Sequence, residues 1–75
     1  MSNLDEDRVE LSRRQREVLA LLSEGFGARA IAAKLGIRET TARNHIHRLL
    51  RRLGCHSQLQ AVARAREQNL LERPR

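Results

Sequence analysis

The segment from Glu39 to Leu53 gathers the side chains of this chain best suited to acting on another molecule. At about 100° per residue on an α-helix, Ala42, Ile46, Leu49, Leu50 and Leu53 fall within one apolar arc. Thr40, Asn44, His47 and Arg51 lie opposite, flanked by Arg43 and Arg48. Arginine can donate two parallel hydrogen bonds to guanine O6 and N7, asparagine pairs similarly with adenine N6 and N7, and an α-helix fits the major groove. A merely solvated face would more often mix Glu with Lys, and this helix carries no acid after Glu39.

Other chemistries fit less well. His45 and His47 are separated by about 200° around a helix and cannot chelate one ion together, so neither a metal nor a cofactor is expected. The single cysteine, Cys55, excludes an internal disulfide and a cysteine-based zinc finger. No Ser-His-Asp or Cys-His pairing emerges, and 75 residues are too few to wall a large pocket, so an enzyme is not expected. Phe26 is the only aromatic residue, whereas single-strand and RNA readers usually stack bases on aromatic platforms.

Charge points to the same class of partner. The chain holds 15 Lys and Arg against 9 Asp and Glu, a net charge of +6. Asp5, Glu6, Asp7 and Glu10 make the first ten residues acidic, so the excess is concentrated in the remainder. Nucleic acid is the first polyanion to consider and an anionic membrane the second. The longest apolar run, Val18 to Leu22, is far short of the roughly 20 residues that span a bilayer. No membrane association is expected; the cytoplasm is.

These side chains need a scaffold, and the pattern supplies one. Residues 1–10 read as a flexible acidic arm, 11–71 as one folded domain and 72–75 as a tail beginning just before Pro74. Ser12 and Gln15 fit a capping box, with Leu11 as staple, ahead of the helical stripe Val18, Leu19 and Leu22. Gly25-Phe26-Gly27 ends that helix. A short second helix fits Ala28 to Leu35, burying Ile31, Ala32 and Leu35, and Gly36 is placed to stop it. The third runs from about Glu39 to Leu53 and stops at Gly54. Ser57 and Gln60 form a second capping box for a fourth helix through about Asn69. On that helix Leu59, Ala63, Arg66 and Leu70 are expected to cover the core, with Val62 at the edge. Ala61, Arg64, Ala65 and Gln68 would then face a second copy. Nothing reads as a strand. The expected fold is an all-α, four-helix helix-turn-helix domain without a wing.

Leu11 to Leu53 resemble the C-terminal DNA-binding domain of LuxR/NarL/GerE-type bacterial transcription regulators. The carrying segments are L-S-R-R-Q-R-E-V-L-A-L-L at 11–22, G-F-G-A-R-A-I-A at 25–32 and L-G-I-R-E-T-T-A-R-N-H at 35–45. The likeness continues through L-L-R-R-L-G-C-H-S at 49–57 and A-V at 61–62. It implies sequence-specific binding of double-stranded DNA, with residues from about 39 to 53 as the recognition helix. Arg43, Asn44 and His47 fall where base edges are read. Arg29, Arg38, Thr40, Thr41, Arg48, Arg51 and Arg52 are the expected backbone contacts. The resemblance also implies a homodimer on DNA through the fourth helix. His45 matches a family histidine and is expected at the core border; Cys55 sits at an apolar family position.

Departures from the family pattern are few. Ala42 stands where Val is usual, Gln15 replaces a Glu, and Gly27-Ala28 replaces Ser-Asn. Arg38 replaces the usual Ser cap of the third helix, a loss of about 1 kcal/mol. An arginine there makes more sense beside a phosphate. Two rivals stand beside this reading: a sigma factor region 4-like module contacting RNA polymerase, and a helical protein-interaction bundle. RNA polymerase is a further candidate partner of a regulator as well. Met1 and the short acidic arm favour a complete small regulator over an excised domain.

Overall fold

The computed structural model describes residues 10–70, and these form four α-helices and no strand. They are α1 (Arg13–Ser23), α2 (Ala28–Leu35), α3 (Glu39–Leu53) and α4 (Gln58–Glu67). Most of the expected acidic arm and all of the expected tail lie outside the described residues. The all-α helix-turn-helix architecture read from the sequence is the one observed.

Two of the helices, α1 and α4, begin at a serine whose side chain caps them. Ser12 accepts from the Gln15 amide at 3.1 Å while Gln15 Oε1 accepts from the Ser12 amide at 2.9 Å, a complete capping box. Ser57 accepts from the Gln60 amide in the same way, at 3.1 Å. The return bond differs from expectation: Gln60 Oε1 accepts from the His56 amide, one residue earlier, at 2.7 Å. Gly27 and Arg38 start α2 and α3 without any side-chain cap. Glu39, in the first turn of α3, supplies the negative charge that the helix dipole favours there.

All four helices stop by one device. A residue with positive φ follows the last turn, and the amide of the next, apolar residue reaches back five positions. Phe26 reaches Leu21 O (3.1 Å), Ile37 reaches Ala32 O (3.0 Å), Cys55 reaches Leu50 O (2.9 Å) and Leu70 reaches Ala65 O (2.9 Å). Glycine holds the first three positive-φ positions. Asn69, with φ 54°, holds the last and ends α4 two residues before the expected boundary.

The core is small and rich in alanine. Val18, Leu19, Leu22, Ile31, Ala32, Ala42, Ile46, Leu49, Leu53, Cys55, Ala61, Ala65 and Leu70 are buried. Leu35 and Leu50, expected inside, are half-buried at its margin. The α4 expectation is corrected. Ala61 and Ala65 are 0% and 1% exposed within the chain's own core, while Leu59 is 80% exposed and Ala63 and Arg66 also face outward. The bulkier side chain is therefore not the buried one. Alanines at 61 and 65 let the α4 backbone approach α1 and α3 closely, and interiors packed at crystal density favour that fit.

Candidate nucleic-acid interface

The turn between α2 and α3 fixes the angle at which α3 stands out from the domain. Gly36 adopts φ 69°, ψ 35°, a conformation costly for any residue with a Cβ. Leu35 and Ile37 on either side are half-buried against the core. Ala42, Ile46, Leu49 and Leu53 then anchor α3 along one stripe, with Leu50 beside them. Thr40, Arg43, Asn44, His47, Arg48, Arg51 and Arg52 are all exposed, and Thr41 and His45 are half-buried at the borders. The outward face of α3 is the one its periodicity dictated.

Its charges are largely unspent. Among the described residues the ion pairs join Glu17 to Arg13 and Arg14, and Glu39 to Arg43. Arg29, Arg38, Arg48 and Arg51 therefore have no acidic partner among the described residues. Arg29 and Arg43 border one open groove between the start of α2 and α3, lined also by Gly27, Ala28, Ala30, Ala33, Glu39 and Gln58. Arg52 lies apart, its Nε donating to the Glu10 carbonyl oxygen at 3.2 Å. That bond ties the chain leading into α1 to the far end of α3.

The residues assigned to a partner copy are dispersed. Besides the buried Ala61 and Ala65, Arg64 Nη1 donates to the Leu53 carbonyl oxygen at 3.0 Å. Gln68 is half-buried, and its Oε1 is enclosed without a hydrogen-bond partner. As a four-residue surface, Ala61, Arg64, Ala65 and Gln68 do not exist. The contact that sequence reading missed is Glu39 Oε2 with Arg43 Nη2, 2.6 Å apart. Its signal was available: an acid four residues before a base on one helix face.

Residues 9–65 match the model of the family described as bacterial regulatory proteins, luxR family. The chain belongs to that family. It is a helix-turn-helix DNA-binding domain of the kind that transcription regulators carry. Over 62 residues it is 42% identical to a probable transcriptional regulatory protein NarL of Mycobacterium tuberculosis, covering 83% of this chain and 29% of that protein. Over 52 residues it is 42% identical to the spore germination protein GerE of Bacillus subtilis, covering 69% of this chain and 70% of that one. The crystal structure of the response regulator ChrA, from a heme-sensing two-component system, superposes with a TM-score of 0.78 at 35% identity. That match covers 91% of this chain and 34% of ChrA. The chain thus spans about a third or less of NarL and ChrA.

Proposed function

We propose that this domain recognises a specific double-stranded DNA sequence by laying α3 in the major groove. Arg43, Asn44 and His47 read base edges. Arg29, Arg38, Thr40, Thr41, Arg48, Arg51 and Arg52 hold backbone phosphates and set the register. The carrying observation is the α3 face itself: apart from Arg29 on α2 and Arg38 just before α3, these side chains are exposed on it or at its border, and its buried stripe is exposed by 4% or less. Arg52 reaches phosphate with its terminal nitrogens, since only its Nε is engaged with Glu10. The domain acts by binding and carries out no catalysis; its place of action is the cytoplasm, at the nucleoid.

On DNA the working unit is a homodimer paired through the exposed side of α4. Leu59, Ala63 and Arg66 recur there at i, i+4 and i+7, and Leu59 is the exposed large apolar residue of the described chain. Leu59 and Ala63, with the aliphatic stem of Arg66 beside them, suit a self-complementary contact about a two-fold axis. No described cluster favours RNA polymerase as a second partner.

Selection of bound duplexes from a random pool tests the whole reading. An enriched motif of two inverted half-sites, about 10 base pairs between centres, is expected. Failure to enrich any motif would refute specific recognition.

A further inference from the structure

Glu39 is the only carboxylate on α3, and it stands beside a face meant to meet a polyanion. Its carboxylate lies 2.6 Å from Arg43 Nη2, with the two side chains 41% and 63% exposed. The two residues are about 40° apart around the helix axis, with Glu39 one turn nearer the N-terminus and nearer the core. Arg43 sits on the flank of the outward face, where its long side chain could swing to a phosphate as readily as to a base. The Glu39 carboxylate pulls the guanidinium toward the N-terminal end of α3, the end from which recognition helices of this class contact base edges. One N–H of Arg43 goes to Glu39. The rest of the guanidinium fork stays free for the paired contact with guanine.

A helix-stabilising pair explains the spacing, and the dipole favours an acid in the first turn, but neither accounts for the carboxylate engaging the arginine that is read as a base contact. Placed against DNA, a carboxylate repels phosphates and weakens binding to every sequence. Paired with Arg43, the same charge also bears on where that arginine can settle. We propose that Glu39 is a specificity-determining residue: it positions Arg43 on the base edge and, by its charge, disfavours Arg43 settling on the backbone. This rests on the reading of Arg43 as a base contact.

The test measures affinity of the full chain for its selected site, for that site changed at the Arg43-dependent base pair, and for random-sequence duplex. Glu39→Ala should tighten binding to random duplex severalfold and lower discrimination at that pair by about tenfold, the scale of one paired base contact. In an Arg43→Ala background, Glu39→Ala should change that discrimination no further. Glu39→Gln, which keeps an acceptor but no charge, should fall between wild type and Glu39→Ala, and it serves as the test if the alanine variant melts early. Equal tightening on all three duplexes would overturn the proposal, leaving Glu39 a simple repulsive charge. So would unchanged discrimination. If Arg43→Ala itself leaves the preferred sequence intact, the base-contact reading fails first and the role of Glu39 fails with it.

Discussion

Arg64 donates from Nη1 to the carbonyl oxygen of Leu53, 3.0 Å away, so a side chain of α4 closes the end of the recognition helix. Gly54, between them in sequence, is required by its backbone, φ 68°, and not by space: a Cβ there would meet that same nitrogen only at an ordinary 3.9 Å. The last carbonyls of a helix lack partners within it, and a cation near them also suits the dipole. The orientation of α3 is therefore held at both ends, by the turn at Gly36 and by Arg64.

Arg64→Met should keep the aliphatic packing but strip the Leu53 carbonyl of its donor. A stability loss of about 1–2 kcal/mol is expected, read as a lower urea midpoint with unchanged slope. Arg64→Lys should recover part of it. An unaltered midpoint in the methionine variant would remove the cap from the account.

Gly54→Ala forces a Cβ into left-handed backbone and should destabilise by about 1–2 kcal/mol, although no atom blocks the space. Gly54→Asn should lose less, as Asn69 already holds the same conformation at the end of α4. Thermal melts of the two variants make the comparison. Equal losses would point to a steric rather than a conformational cause.

The two sides of α4 should respond in opposite ways. Ala65→Leu adds three carbon atoms to a filled core and should destabilise by about 1–3 kcal/mol. Leu59→Glu, on the exposed side, should shift stability by no more than about 0.5 kcal/mol. On DNA it should abolish cooperative filling of paired half-sites while single half-site affinity stays unchanged. Footprinting across a protein titration reads this. Undiminished cooperativity in Leu59→Glu would place the pairing surface elsewhere.

The fold was legible because α1, α2 and α3 carry wide apolar stripes and strong stop signals. Val18, Leu19, Ile31, Ile46 and Leu49 could face only inward. The α4 faces were not legible, because residue size misled. Leu59 looks like core by chemistry, whereas Ala61 and Ala65 are core by fit, which depends on how near α1 and α3 come. At the site, the outward residues of α3 follow from periodicity alone. Three-dimensional partners do not: the bond from Arg52 to Glu10 spans 42 positions. Nothing local to either residue announces it.

Binding should depend steeply on salt. With about five arginine–phosphate contacts per chain, affinity should fall roughly five-hundredfold between about 50 and about 200 mM salt. Arg48→Ala or Arg51→Ala should weaken all sequences alike and reduce the slope by about one unit. Salt titrations of fluorescence anisotropy distinguish this from an apolar docking mode, which would be nearly indifferent to salt.

Base readout by the exposed face of α3 is tested most directly by comparing the sites selected by the wild-type chain, Arg43→Ala and Asn44→Ala from one random duplex pool. Each variant should lose preference at its own base pair, by about 1–3 kcal/mol, and keep the rest of the motif. Motifs identical to wild type in both variants, with affinity lowered evenly on every sequence, would contradict base reading and leave α3 only a backbone contact.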